Sequence, residues 1–61
     1  MFEIGKKYKI KDVDGIYYTA LITEETSTHI TFIDLHGEKQ GLKIDQIDKW
    51  KQIENSTGSE F

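Results

Sequence analysis

The stretch that decides the fold is Asp14–Leu35, which reads DGIYYTALITEETSTHITFIDL. It opens with the tight-turn dipeptide Asp14-Gly15, in which the glycine tolerates positive φ. Ile16–Thr23 and His29–Leu35 are rich in β-branched and aromatic residues and are therefore predicted to be strands. The polar loop Glu24–Thr28 separates them. The centre of the chain thus predicts a turn followed by two strands that a short loop joins.

The same alternation extends in both directions from this centre. Lys7–Val13 alternates between apolar and charged residues, which is typical of a half-buried strand. After a turn at His36-Gly37-Glu38, Lys39–Ile44 is predicted to be a short fourth strand. Gly41 lies inside that strand and indicates a bulge or a close backbone approach.

The last folded segment allows two interpretations. The first is a single helical turn at Asp45-Gln46-Ile47, capped by Asp45, followed by a closing fifth strand at Asp48–Ile53. The alternative is one short helix over Asp45–Ile53, since apolar residues recur there at helical spacing. The first interpretation gives an all-β fold: a small, five-stranded, strongly bent antiparallel barrel with a helical turn before the last strand.

Length and composition predict one small domain over residues 1–54. A chain of 61 residues buries a marginal core, and the absence of cysteine excludes disulfides as its support. Residues 55–61 are predicted to be a disordered tail. Its last four residues, GSEF, match what adjacent cloning sites encode, so they are left out of the fold.

The two central strands carry apolar residues on both faces. Tyr18, Ala20 and Ile22 are predicted to point inward, which turns the opposite residues outward. An exposed apolar patch on adjoining strands marks a protein interface. The patch predicts a homo-oligomer or a different partner protein, unless a sharply bent strand buries both faces within one chain. The four predicted interface residues are Tyr17, Leu21, Ile33 and Leu35.

The charge balance disfavours nucleic acid as the main partner. The net charge is −3, and all eight basic residues are lysine, whereas arginine is the residue suited to bidentate phosphate and base contacts. Lysines nevertheless crowd the first strand, so a nucleic-acid-binding barrel is the alternative function, with aromatic residues for stacking. Its candidate residues are Lys6, Lys7, Tyr8, Lys9, Lys11 and Trp50.

No catalytic, metal or cofactor motif stands out. His29 and His36 lie at the two ends of the third strand and fit no metal-ligand spacing. The adjacent carboxylates Glu24 and Glu25 point to opposite faces if extended, so they do not form an acid–base pair. We therefore predict a protein that is not an enzyme and that holds neither metal nor cofactor.

The sequence predicts a cytoplasmic protein without a membrane partner. No stretch approaches the roughly 20 apolar residues that a spanning helix needs. The first ten residues, MFEIGKKYKI, lack the basic segment and apolar run of a signal peptide.

The order of motifs over Tyr8–Ile53 resembles the Sm-like and Tudor-like group of small β-barrels. The resemblance rests on a strand, the DG turn, Y-x-x-L-I, a loop, I-T-F-x-D ending at Asp34, the HG turn and two further strands. It implies a strongly bent barrel and assembly through strand edges, as Sm-like proteins form rings. Many members bind RNA, but the Asn of their RNA-contacting run is missing after Ile22, where the chain reads TEETSTH.

Overall fold

A computed structural model describes residues 1–53, so Glu54 and the predicted tail with its last four residues, GSEF, lie outside the described residues. The strands are β1 (Lys7–Asp12), β2 (Tyr17–Glu25), β3 (His29–Ile33), β4 (Lys39–Lys43) and β5 (Ile47–Gln52), with a 3₁₀ turn at Ile44–Gln46. All neighbouring strands are antiparallel. The prediction of an all-β fold with five antiparallel strands is confirmed.

The five strands form one sheet in the order β4-β3-β2-β1-β5. Within residues 1–53, β4 and β5 pair with one neighbour each, so the sheet is open and a closed barrel is not confirmed. A single extra residue shifts the register at two places: Asp48 in β5, where it pairs with β1, and Thr23 in β2, where it pairs with β3. Such irregularities bend a strand and increase its twist locally.

The core consists of the inward residues of β1, β2 and β3. The predicted inward set on β2 is confirmed: Ala20 and Ile22 are fully buried, and the half-buried Tyr18 packs against the core. Leu42 packs against the same cluster from β4. The buried hydrophobic residues are Phe2, Tyr8, Ile10, Ala20, Ile22, Ile30 and Phe32.

The segment before β1 also contributes to this core. Phe2 is 7% exposed, and its ring lies 4.9 Å from that of Tyr8 and 5.0 Å from that of Trp50, between centroids. The Glu25 carboxylate accepts the Phe2 N–H at 2.9 Å and the N-terminal amine at 3.2 Å. The end of β2 thereby fixes the first residues over the aromatic cluster.

The closing segment is a strand, so the alternative of a helix over Asp45–Ile53 is wrong. Pairing with β1 decides the outcome, because it places Trp50 opposite Ile10 and sets the register of β5. The 3₁₀ turn begins one residue earlier than predicted, at Ile44, and Asp45 lies inside it. The predicted cap at Asp45 is also wrong, since the cap position is Lys43 and no side chain bonds there.

The hairpin between β1 and β2 is held by one carboxylate. Asp12 Oδ1 accepts the N–H groups of Asp14 and Ile16, both at 2.9 Å. Oδ2 accepts the hydroxyl of Tyr18 at 3.1 Å. The backbone closes the turn, because the Gly15 N–H donates to the Asp12 carbonyl at 3.0 Å. Gly15 has φ of +87°, the left-handed conformation that glycine adopts at the third position of such a loop.

The hairpin between β3 and β4 repeats this arrangement. Asp34 Oδ1 accepts the N–H groups of His36 and Glu38, both at 2.9 Å, and Oδ2 accepts the side-chain amide of Gln40. Gly37, with φ of +83°, donates its N–H to the Asp34 carbonyl at 3.0 Å. Both hairpins therefore follow the pattern D-x-x-G, with a further donor six residues after the aspartate.

Gly41 does not have the role that the sequence predicts. It pairs with Thr31 in regular register, and an added Cβ would meet the Ile30 carbonyl oxygen at an ordinary 3.7 Å. No bulge or close approach therefore requires glycine at this position.

Gly41→Ala and Gly37→Ala are expected to change stability in opposite directions. The first removes backbone freedom from the unfolded chain and should raise the free energy of unfolding by about 0.4–1 kcal/mol. The second places an L-residue at positive φ, which should lower the free energy of unfolding by about 1–2 kcal/mol. An added Cβ would meet no atom within 4 Å, so this cost comes from the backbone conformation and not from crowding. Urea denaturation of both variants measures these changes. If both substitutions changed the free energy of unfolding in the same direction, the assigned backbone conformations would be contradicted.

Candidate binding surface

An apolar hollow lies on the outer face of the sheet, where β2 and β3 adjoin. Leu21 and Ile33 are register partners and half-buried, and Leu35 follows β3 with 74% of its surface exposed. These three residues, together with polar residues at the rim, line a hollow of about 240 Å³. We call the surface formed by Leu21, Ile33 and Leu35 the apolar hollow. None of them is buried, so one chain does not cover this part of the predicted interface.

Tyr17, the fourth predicted interface residue, lies apart from the apolar hollow. It precedes Leu21 by four residues on β2, a separation of about 13 Å along an antiparallel strand. It is 63% exposed and lines a different, smaller hollow. The structure therefore brings three of the four predicted interface residues together and leaves Tyr17 among lysines.

The smaller hollow lies on the outer face where β1 and β5 adjoin. The register sets Lys9 opposite Lys51 and Lys11 opposite Lys49. All four line this hollow of about 100 Å³, together with Tyr17 and Trp50. We call these four lysines the lysine face. Tyr17 is the register partner of Lys11 on β2 and lines the same hollow, so it borders the lysine face.

The predicted nucleic-acid residues are divided by the structure. Tyr8 is 2% exposed, and its hydroxyl accepts the Glu3 N–H at 2.8 Å, so its ring is not accessible to a base. Trp50 keeps 42% of its surface exposed, while its ring packs at 5.7 Å from that of Tyr8. Lys6 is exposed but lies before β1, and Lys7 lies at the rim of the apolar hollow.

Lys49 and Lys51 belong to the lysine face, although they are not among the residues predicted to bind nucleic acid. The signal was present, because KWK over Lys49–Lys51 repeats the alternation of KYKIK in β1. A strand interpretation of the closing segment places both lysines on the face opposite to Trp50. The helical alternative does not place these lysines beside those of β1.

The carboxyl groups of two aspartates and one glutamate have lowered pKa values, and each accepts hydrogen bonds from backbone N–H groups. The Ile16 N–H, with further bonds from Tyr18 and Asp14, lowers the pKa of Asp12 against the opposing effect of burial. Burial and the bond to Asp12 raise the pKa of Tyr18. Hydrogen bonds to the charged form move the pKa of a carboxyl group further below neutrality. Such a group is not suited to proton transfer at neutral pH.

The other two carboxylates follow the same logic. The Glu38 N–H lowers the pKa of Asp34, aided by Gln40. The Phe2 N–H and the terminal amine lower the pKa of Glu25, again against burial. All three shifts come from structural hydrogen bonds that hold turns or the N-terminal segment.

A third hollow lies between the β2–β3 loop and the 3₁₀ turn. His29 belongs to it, with its Nδ1 2.7 Å from the Thr28 hydroxyl and with Lys43 and Asp45 on the opposite side. Across residues 1–53, no group of three or more His, Asp or Glu side chains is placed to hold a metal ion. In the same residues, no helix has the length and apolar character needed to cross a membrane.

Comparison with known proteins assigns no family to this chain. No protein-family model, no curated protein and no solved structure matches it significantly.

Proposed function

We propose that this protein is a non-catalytic binding module that self-associates and mediates protein interactions. The observation that carries the proposal is the apolar hollow, in which Leu21 and Ile33 adjoin on neighbouring strands beside the exposed Leu35. Removing such side chains from water favours association at about 25 cal/mol per Å² of apolar surface. The occupant that we propose is a second copy of the chain.

Two features support a second copy as the occupant. A two-fold interface uses the same surface on both subunits, so an apolar hollow with an adjoining protruding leucine can meet itself. The rim of the hollow carries both signs of charge, with Lys7 on one side and Asp34 on the other. Both signs within one patch allow attraction across a two-fold axis instead of uniform repulsion.

The strand edges are less suited to this association. Lys39 and Lys43 lie on the open edge strand β4, and Lys49 and Lys51 lie on the other edge strand, β5. Edge lysines discourage strand pairing between copies, since pairing brings like charges together. The apolar hollow is small beside a standard interface of about 800 Å² per partner, so we expect weak, concentration-dependent dimers.

The barrel fold that the Sm-like or Tudor-like resemblance implies is part of the proposal, whereas the assembly through strand edges that it also implies is not. Five short antiparallel strands with a helical turn before the last one agree with what the resemblance implies. The two register shifts, at the extra residues in β5 and β2, provide bends that a strongly curved barrel needs. The cytoplasmic location stays a prediction from the sequence.

Leu35→Asp is expected to weaken self-association at least about tenfold, because a carboxylate buried in an apolar contact lacks a partner. Val13→Asp is the matched control, since Val13 follows Asp12 as Leu35 follows Asp34 and is 55% exposed outside the hollow. Sedimentation velocity from micromolar to millimolar concentration measures both variants. A strictly monomeric wild-type protein, or equal effects of the two substitutions, would refute the proposal.

A further inference from the structure

The third hollow, between the β2–β3 loop and the 3₁₀ turn, has the size of a small-molecule site. Its volume of about 450 Å³ falls within the range of about 300–1,000 Å³ that is typical of ligand clefts. The residues that line it are Ser27, Thr28 and His29 on one wall and Lys43, Ile44 and Asp45 on the other. The Ile44 N–H donates to the Thr28 carbonyl at 2.9 Å and joins the two walls. The hollow is therefore wide enough to hold a small molecule between its walls.

Antiparallel pairing separates the charges along this hollow. His29 and Lys43 are register partners, so their side chains lie next to each other on one face of the sheet. Asp45 follows Lys43 by two residues, which at a rise of about 2.0–3.3 Å per residue is about 4–7 Å further along the chain. The hollow therefore has a basic end, formed by Lys43 and His29, and an acidic end, formed by Asp45.

The charged groups at the two ends have no ionic partner within residues 1–53. Lys43 and Asp45 line the same hollow but form no ion pair with each other or with another described residue. His29 binds the Thr28 hydroxyl through Nδ1, at 2.7 Å, and its Nε2 makes no hydrogen bond within the same residues. When that hydroxyl donates to Nδ1, Nε2 carries the ring proton and is a donor. An ammonium, an imidazole N–H and a carboxylate are thus left for a ligand.

The β2–β3 loop holds its side of the hollow without using these groups. The Thr26 hydroxyl oxygen accepts the N–H groups of Thr28 at 3.2 Å and of His29 at 3.1 Å. The Thr26 N–H donates to the His29 carbonyl at 2.8 Å and closes the loop. On the other side, the 3₁₀ turn has no side-chain cap. Local structure therefore fixes the backbone under His29 and leaves the imidazole Nε2 and the Asp45 carboxylate to bind.

We propose that the third hollow binds a free α-amino acid, with its carboxylate at Lys43 and His29 and its ammonium at Asp45. A ligand with a single charge would match only one end of the hollow, whereas a zwitterion is complementary to both. Ile44 lies between Lys43 and Asp45 in the chain and is half-buried, so it provides an apolar contact for an aliphatic side chain. The third hollow shares no residue with the apolar hollow, so the two functions are independent.

The first test uses L-leucine and two analogues that each lack one of its charges. 4-Methylpentanoate lacks the ammonium group, and 3-methylbutylamine lacks the carboxylate. Two exposed ion pairs predict weak binding, with a dissociation constant of about 1–10 mM for L-leucine at low salt. Each analogue should bind about two- to fivefold more weakly, because it loses one ion pair. Titration followed by the backbone amide signals of Thr28, His29 and Ile44 in NMR spectra measures all three affinities. No saturable shift of these signals by L-leucine, or equal binding of either analogue, would overturn the proposal.

Lys43→Gln and Asp45→Asn should each weaken L-leucine binding about two- to fivefold. Lys43→Gln should also reduce the advantage of L-leucine over 3-methylbutylamine, and Asp45→Asn its advantage over 4-methylpentanoate. Lys39→Gln and Glu38→Gln are the matched controls, because they remove the same charges at the other end of β4, outside the third hollow. The controls should bind L-leucine like the wild type. Equal losses in the variants and their controls would show that only net charge matters and would overturn the assigned site.

Leu35→Asp separates this site from the surface of self-association. Leu35 lines the apolar hollow and not the third hollow, so this variant should bind L-leucine with the affinity of the wild type. If Leu35→Asp abolished the binding, the amino acid would occupy the apolar hollow and the assignment to the third hollow would be overturned. Failure of the amino-acid site is read from the titration and failure of self-association from sedimentation, so the two outcomes are distinct.

Discussion

Replacing Phe32 with alanine is expected to leave much of the protein unfolded at 25 °C. The Phe32 side chain is fully buried, and its ring centroid lies 5.6 Å from that of Tyr18 in an edge-to-face contact. Truncating a buried phenylalanine costs about 3–5 kcal/mol. At about 0.05–0.15 kcal/mol per residue, a domain of this size has only about 3–9 kcal/mol of stability.

The control for this prediction is the next residue on the same strand. Ile33 points to the outer face and is half-buried, so Ile33→Ala should cost well under half as much as Phe32→Ala. Urea denaturation followed by Trp50 fluorescence measures both variants at a concentration low enough to keep the chains apart. If Ile33→Ala were as damaging as Phe32→Ala, the outer face would be covered and the apolar hollow would not be a free surface.

The strand pattern could be predicted from the sequence because alternation is local. Tyr18, Ala20 and Ile22 share one face of β2 at the period of two that a strand dictates, and each lies in or against the core. The same period placed Leu21 and Ile33 on the outer face, and the register makes them neighbours. Local patterns thus accounted for the core and for most of the apolar hollow.

The remaining features depend on contacts between distant segments. Trp50 fits a helix or a strand locally, and only its place opposite Ile10 decides for the strand. Phe2 joins the core because it packs on Tyr8, a contact that no periodicity indicates. Tyr17 is not part of the apolar hollow because it lies too far from Leu21 along β2. Alternation puts both side chains on the outer face of the sheet, but it does not bring them close together.

The two aspartates that hold the hairpins could have been identified from a pattern in the sequence. The dipeptide Asp14-Gly15 was correctly placed in a turn, but the residue that holds the turn is Asp12, two positions earlier. Recurrence of D-x-x-G at Asp34 would have identified it. A carboxylate that accepts backbone N–H groups two and four residues later is a local interaction.

Asp12→Asn is expected to lower the melting temperature at neutral pH by more than Asp34→Asn. Both substitutions keep an acceptor for the two turn N–H groups and remove the charge. Asp12 is 6% exposed and its second oxygen accepts the hydroxyl of Tyr18, whereas Asp34 is half-buried and bonds the side chain of Gln40. An amide in place of Asp12 Oδ2 cannot accept that hydroxyl, and a charged acceptor makes the stronger bond.

The pH dependence tests the electrostatic origin of this difference. Hydrogen bonds lower the pKa of Asp12 and of Asp34 below the usual 3.8, and the pKa of Glu25 below 4.5. A carboxyl group with a lowered pKa in the folded state stabilises the protein above its unfolded pKa. That contribution is lost as the pH falls through the folded pKa. Wild-type stability should therefore be level near neutrality and fall once the pH drops below the usual values.

In Asp12→Asn, the acid-induced loss should be smaller, because one of the three contributing groups no longer titrates. The melting temperatures of wild type and variant should therefore converge at the acid end of the range. Tyr18→Phe provides the partner variant: the double variant should lose less than the sum of the two single losses, since they share one hydrogen bond. A constant difference between wild type and Asp12→Asn at every pH would mean that shape, not charge, makes Asp12 important to the hairpin.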